Sequence, residues 1–281
     1  MPNFDTTGPV LATIDVVVGD VRITAGDDLR VSVEVRPADA SNAEDVKAAE
    51  QTRVELANEQ LHVRAPKLRS WLPRSSGGSI DVQIELPAGS RLRATGQMTD
   101  FAADGRLGHC RIKTGVGSIV LDDVETPQLK TGIGDITVER ASGHAEVTAG
   151  SGDVRIRELA ASGVVKNSNG DTWIGVATGD LRVSAANGGI AVDRSEASVV
   201  AKSSNGDVRL GEVTRGSVVL ETSLGDLEVG IPEGTAAWLD ARAVAGRVVN
   251  ELEASDAPAN KAETIEVRAR TTAGNVLVRR P

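Results

Sequence analysis

Five aspartates, Asp135, Asp153, Asp171, Asp207 and Asp226, each directly follow a glycine. Stacked carboxylates are the raw material of a calcium site. Glycine-aspartate coils that bind Ca²⁺ carry the repeat G-G-x-G-x-D-x-U-x, with Asp two residues past Gly on both turns of each coil. Here Asp is adjacent to Gly on one turn only, and Ser118 and Gly189 interrupt the column. A Ca²⁺ ion takes about six oxygens, so one carboxylate per repeat does not fill its shell, and each Asp is expected to cap the N–H of its own turn. Histidine offers no more. His62, His109 and His144 are scattered, and although the last two each stand eight residues before a glycine, they are two repeats, about 10 Å, apart. That is too far to share a Zn–N shell of about 2 Å. No metal and no cofactor is expected. Phosphate loop, nucleophile elbow and cysteine-pair motifs are absent.

A polysaccharide-degrading β-helix is the enzyme alternative. Pectin-degrading proteins of that class carry Asn-Thr-Asp, Asp-Asp, Gly-His-Gly and Arg-Ile-Lys on neighbouring turns. This chain has Arg111-Ile112-Lys113, Asp122-Asp123 and Gly108-His109, but in the wrong order, within about one repeat, and with Cys110 where the second Gly belongs. No catalytic residue is therefore assigned.

What must position these side chains is a repeat. Gly117, Gly134, Gly152, Gly170, Gly188, Gly206 and Gly225 follow one another at steps of 17, 18, 18, 18, 18 and 19 residues. Aliphatic residues recur two and four positions after each glycine (Ile190 and Val192, Val208 and Leu210) and five before it (Val165, Val183). Alternation on both sides of the glycine means two short strands per repeat. Asn169-Gly170-Asp171 and Asn205-Gly206-Asp207 supply the turn chemistry, since Gly accepts positive φ and Asn and Asp favour such turns. Asn-Gly also signals a tight hairpin. A fixed step, however, is what a coil stacking on itself needs, with equivalent residues in ladders about 4.8 Å apart. The reading is an all-β fold, a parallel β-solenoid with rungs of about 18 residues, right-handed by the rule for parallel crossovers. The small polar column three before each glycine (Thr114, Thr131, Asn167, Ser203, Thr222) is expected to turn a corner and hydrogen-bond along the stack.

The Gly-Asp turns (Ser151-Gly152-Asp153-Val154, Asn205-Gly206-Asp207-Val208) occur beside two phrases, VQIELPAGSRLR at 82–93 and LEVGIPEGTA at 227–236, and a closing Ala273-Gly274-Asn275-Val276. In these features the chain resembles, from about Ile14 onward, the bacterial β-strand-repeat proteins called putative adhesins (domain of unknown function 4097). The resemblance implies a fold and a non-catalytic, adhesin-like role, and it lends no catalytic residues.

Composition agrees. The 281 residues include only 2% aromatics, with no Tyr, which suits a narrow coil filled by Val, Ile, Leu and Ala. A formal charge of −9 argues against general nucleic-acid binding. The single Cys110 excludes an internal disulfide framework. Met1-Pro2-Asn3-Phe4-Asp5 has neither a basic region nor an apolar run, so no signal peptide is read. No stretch reaches the ~18 apolar residues of a membrane span, and a cytoplasmic location is expected if Met1 is the native start.

Residues 1–90 read as N-terminal strands and a capping segment, and 91–281 as the repeat solenoid, together one continuous domain. Ile14–Val18, Val21–Thr24 and Leu29–Val35 are the expected opening strands. Ser41 with Glu44 forms a capping box, so a short helix is expected from Asn42 to about Gln51, placed to plug an open end of the core. Val54–Leu56 and Leu61–Val63 pair across a turn. Pro66 to Ser79 is a loop carrying Trp71 among Lys67, Arg69 and Arg74, a contact loop or one whose Trp folds back. Glu251 to Glu263 is a surface loop, and Ile265 to Arg280 is the closing rung.

Arg111, Lys113, Lys130, Lys166, Arg182 and Lys202 occupy outward positions on the strand before the turn, against Glu146 and Glu221. On an acidic chain this stripe is either a solvated, aggregation-resistant face or a docking face for an acidic partner. Trp173, outward beside Arg155, either stacks on that guanidinium or marks an interface. A homodimer through the C-terminal rungs or the Trp173 face is expected, because Val276 and Val278 would otherwise leave the last aliphatic column half covered. Any other protein partner is unidentified.

Overall fold

The computed structural model describes residues 3–66, 78–252 and 264–281. The chain divides into two compact units, Met1–Glu139 and Arg140–Pro281. In the first lie β1 (Asn3–Asp5), β2 (Leu11–Gly26), β3 (Arg30–Pro37), α1 (Ala43–Gln51), β4 (Arg53–Ala57), β5 (Gln60–Arg64), β6 (Ile80–Pro87), β7 (Arg91–Val116) and β8 (Ile119–Ile133). The boundary falls inside β9 (Ile136–Ala141). The second unit holds β10 (Ala145–Ser151), β11 (Val154–Leu159), β12 (Gly163–Asn169), β13 (Thr172–Ala177), β14 (Leu181–Asn187), β15 (Ile190–Ser195), β16 (Val199–Asn205) and β17 (Val208–Val213). It continues with β18 (Ser217–Leu224), β19 (Leu227–Gly230), β20 (Ala236–Ala245), β21 (Val248–Asn250), β22 (Thr264–Ala273) and β23 (Val276–Arg279).

The second unit shows the repeat most plainly. β10, β12, β14, β16 and β18 pair in parallel, in register, and so do β11, β13, β15, β17 and β19. Each rung is thus a pair of strands joined at a glycine corner, a parallel β-solenoid, and no Asn-Gly closes a hairpin. Like stacks on like: Val147, Val165, Val183, Ala201 and Leu220 form one inward column, and Ile156, Ile174, Val192, Leu210 and Val229 another. All ten are buried, so the core is a set of aliphatic ladders needing no large side chain. Arg182, Lys202, Arg209 and Asp171 point out to solvent.

Departures from the 18-residue step have local causes. In the first unit the register of β7 on β8 shifts between Ala103 and Arg106, where Gly105 has φ +84. One extra residue in β7 bulges out there, which shortens the next step to 17. In the second unit the 19-residue step takes up its extra residue at the corner holding Gly216, φ +94.

The rungs do not stack in chain order at the ends. In the first unit β2 lies between β7 on one side and β5 with β6 on the other. Leu29–Val35 at β3 aside, the expected opening strands are therefore one rung in. Outside them, β3 runs antiparallel to β6, β1 to β3, and β4 to β5. The β4–β5 turn places Asn58 and Glu59 at φ +50 and +59, the two-residue hairpin geometry that matches strand twist. The second unit repeats the inversion. β22 pairs with β18 and β23 with β19, while β20 and β21 stack outside β22 and β23. This corrects the expected ending: 265–280 is an interior rung, Val276 and Val278 are fully buried, and they need no partner to cover them.

Two phrases mark where the chain skips a rung. Leaving β6, Pro87 accepts a hydrogen bond from Ser90 N–H at 3.2 Å with Gly89 at φ +79, and the chain passes the β2 rung to start β7. Leaving β19, Pro232 accepts from Thr235 N–H at 3.3 Å with Gly234 at φ +79, and the chain passes the β22–β23 rung to start β20. These turns lie in the sequence phrases at 82–93 and 227–236.

The helix forms where expected, with a different cap. Asn42, not Ser41, is its N-cap, accepting from Glu44 N–H at 3.0 Å, and the Ser41 hydroxyl donates instead to Asp39 Oδ1 at 2.6 Å. α1 packs against β3. Its buried Asp45 accepts from the N–H groups of Asp39 (3.2 Å) and Ser79 (2.8 Å), tying the helix to the chain on both sides.

Candidate functional site

The aspartate column resolves into a structural ladder. Asp153 Oδ1 accepts from Asp171 N–H (3.0 Å), Asp171 Oδ1 from Gly189 N–H (2.8 Å), Asp207 Oδ1 from Asp226 N–H (2.8 Å) and Asp226 Oδ1 from Asn275 N–H (2.6 Å). In the first unit Asp100 Oδ1 takes Ser118 N–H at 2.6 Å. Each carboxylate caps the turn of the next rung rather than its own, because stacking brings that amide to hydrogen-bond distance. Beside it runs an amide ladder: Asn205 Nδ2 donates to Asn187 Oδ1, and Asn187 Nδ2 to Asn169 Oδ1, each at 2.9 Å. The small polar column is spent the same way. Thr131, Asn167, Ser203, Thr222 and Thr271 donate to the carbonyls of Gly117, Gly152, Gly188, Gly206 and Gly225, one rung back in the stack. Such bonds satisfy the peptide groups that a sharp corner leaves unpaired.

One member of an inward column lacks a partner. Thr172 stands in register with Val154 and Ile190, is 1% exposed, and its hydroxyl has no hydrogen bond among the described residues. Thr172→Val keeps the shape and removes an unpaired buried hydroxyl. It is expected to raise the free energy of unfolding by about 1 kcal/mol, read as a higher urea midpoint at unchanged slope.

The residues of the carbohydrate-cleaving alternative do not converge. Asp123 is the register partner of Arg106, whereas Arg111 and Lys113 partner Gln128 and Lys130, five or more positions further along β8. Asp122 Oδ2 accepts from the Gly105 N–H at 3.2 Å. Asp20 sits between Asp81 and Asp100 on three adjacent strands. Partial burial raises its pKa, and the two neighbouring carboxylates raise it further, against the opposing effect of Arg22. Among the described residues no group of three or more His, Cys, Asp or Glu is placed to hold a metal ion. His144 Nδ1 lies 2.7 Å from Ser162 Oγ. Cys110 is buried, and burial pushes its thiol pKa up to about 12, which makes it a core residue.

Trp173 lines a groove of about 610 Å³ in the second unit, with Asp153, Arg155, Asp171, Asp207 and Arg209. Its indole N–H is shared between both oxygens of Asp193, each at 3.2 Å, and it is half-buried. Arg155, its register partner, turns its guanidinium to Asp153 Oδ2 at 2.8 Å. The groove's aspartates are those already spent on the turn ladder, as Oδ1 contacts with backbone N–H.

The basic positions Arg111, Lys113, Lys130, Lys166, Arg182 and Lys202 are all exposed. In the first unit Lys113 and Lys130 are register partners, with Arg111 two residues before Lys113 on the same strand, and no ion pair engages the three among the described residues. In the second unit Lys202 Nζ lies 2.7 Å from Glu221 Oε2, while Lys166 and Arg182 carry no ion pair among the described residues. Trp71, with Lys67, Arg69 and Arg74, falls outside the described residues.

A parallel solenoid of two-strand rungs with glycine-aspartate corners and no assembled catalytic cluster among its described residues is the class this geometry defines. The chain belongs to the Toastrack family, domain of unknown function 4097, which matches residues 12–279. The resemblance carried by the Gly-Asp turns and the two phrases is borne out. Similar solved structures include a putative adhesin from Bacteroides fragilis NCTC 9343 (13% identity, TM-score 0.41, 99% of this chain and 95% of that one). Others are a putative cell adhesion protein from Clostridium sporogenes ATCC 15579 (10%, 0.23, 100% and 97%) and a putative adhesin from Parabacteroides distasonis ATCC 8503 (13%, 0.32, 98% and 95%). No curated protein matches the chain. Among the described residues no helix is long and apolar enough to cross a membrane.

Proposed function

We infer that this is a non-catalytic binding or scaffolding protein that docks an acidic protein partner on a flat strand face. The observation that carries the reading is the pair Lys113 and Lys130. Two like charges directly across a strand pair are destabilising, yet here they stand side by side and exposed, without a counter-ion among the described residues, on a chain of net charge −9. A flat ladder presents such charges at fixed spacing, which is what a rigid partner surface reads. The polar groups of the corners support the same view, because they are committed to backbone hydrogen bonds rather than turned toward a substrate.

The test uses the whole chain as bait in a lysate of its native host. A partner captured by wild type and lost with Lys113→Glu/Lys130→Glu, at equal melting temperatures for the two baits, carries the reading. Equal capture by both baits, or hydrolysis of a polysaccharide by the purified protein, overturns it.

A further inference from the structure

Among the described residues nothing covers the outermost rung of the second unit. No described strand pairs with β20 on the side away from β22. Trp238 is 53% exposed and Val244 83%, and the inward residues Ala237, Leu239, Ala241 and Ala243 are only half-buried, whereas Ile265, Val267 and Ala269 one rung in are 0–1% exposed. Among the described residues the backbone of β20 has one side without a partner. Ala245 C=O accepts from Gly274 N–H, so by strand alternation the odd-numbered residues aim their amide groups at β22. Trp238, Asp240, Arg242 and Val244 therefore aim theirs at the open edge.

We propose that this edge pairs with the same edge of a second copy, antiparallel, about a two-fold axis through Ala241. The outward-bonding parity restricts which residues stand opposite one another, and the charges select among the registers that remain. A two-fold at Asp240 sets Asp240 against itself, and one at Arg242 sets Arg242 against itself. Centred on Ala241, Asp240 of each copy faces Arg242 of the other, Trp238 faces Val244, and Leu239 faces Ala243. Opposite charges and an aromatic beside a β-branched residue are the favourable cross-strand pairs, and each occurs twice. The two-fold runs perpendicular to the sheet, so inward side chains stay inward and the aliphatic core continues from one copy into the next. A self-complementary strand is the signature of an isologous interface. The proposal does not rest on the flat-face reading, and the two tests fail separately.

Ala241→Cys tests the register. Residues directly opposite at a non-hydrogen-bonded antiparallel position have Cα atoms about 4.5 Å apart, within disulfide range. Under mild oxidation this variant is expected to run as a disulfide-linked dimer without reductant. Ala243→Cys is expected not to link, since the two cysteines would lie about 13 Å apart along the ladder. Cys110 is buried and does not compete. Arg242→Glu, at a 71%-exposed side chain, is expected to weaken the dimer about ten-fold by light scattering across a dilution series, through two like-charge pairs. A monomer mass for wild type at micromolar concentration, or linking by Ala243→Cys but not Ala241→Cys, overturns the proposal.

Discussion

Val183→Asp is expected to unfold the protein or to cost about 4 kcal/mol or more, measured as the fall in denaturation midpoint. Val183 is fully buried in the column between Val165 and Ala201. A carboxylate there has no water and no partner, since its neighbours in the ladder are hydrocarbon. Burying an unpaired charge is among the few mechanisms that exceed the usual range for one substitution. With whole-domain stabilities of about 5–15 kcal/mol, that is a large fraction of the total. Arg182→Asp, next in the chain but pointing to solvent, is expected to change the midpoint by less than about 0.5 kcal/mol. Equal losses from the two would mean that the inward and outward registers have been exchanged.

Gly188→Val carries the second large expectation. Gly188 has φ +139, and a Cβ there would lie 2.1 Å from the carbonyl oxygen of Gly170 in the neighbouring rung. Backbone strain and a collision with main chain add, and the carbonyl struck is flanked by Asn167, whose Nδ2 also bonds it. A loss of about 3 kcal/mol or more is expected, read by thermal or chemical melting. Gly189→Ala, one residue on, is the control. Its φ is not in the left-handed region, and a Cβ would meet only Asp207 O at 3.5 Å and Asp171 Oδ1 at 3.6 Å. That substitution is expected to be neutral or to gain up to about 1 kcal/mol from the stiffer unfolded chain. A tolerated Gly188→Val would show that the corner is looser than its stacking requires.

The register of the rungs was legible in the sequence because a two-residue period decides which side of a strand is inward, and an 18-residue step aligns one rung on the next. Val165, Val183, Ile190, Val192, Val208 and Leu210 follow from that alone. The order of the outer rungs was not legible. Every rung offers a similar aliphatic ladder, so Val276 fits on Leu227 or on Val248 equally well by type. Nothing local says that the turns at Pro87 and Pro232 skip a rung, although the two phrases signal that something recurs. The N-cap differed by one residue because Ser41 and Asn42 are both good caps and side-chain reach decides between them. The direction of the aspartate bonds depends on the distance between rungs, which is a property of the stack and not of one turn. Of the candidate surface, the exposed cations could be placed from alternation. The Trp173–Asp193 bond joins residues 20 apart and needed the neighbouring strand to be seen.

The rung-skipping turns also set the order in which the molecule can be finished. A ribosome delivers β20 before β22, at a time when β18 is still an open edge of the kind β20 will eventually meet. Gly246 follows Gly225 by 21 residues, close enough to the repeat step that β20 can settle there prematurely. Wherever that happens, the early pairing has to open to admit β22 between β18 and β20. The first unit meets the converse problem. β2 is synthesised first and stays bare on both edges until β5, β6 and β7 arrive to enclose it. The second unit is thus completed by inserting a rung rather than by winding on the next turn, and in both units the nascent chain carries exposed edges for longer than an in-order coil would.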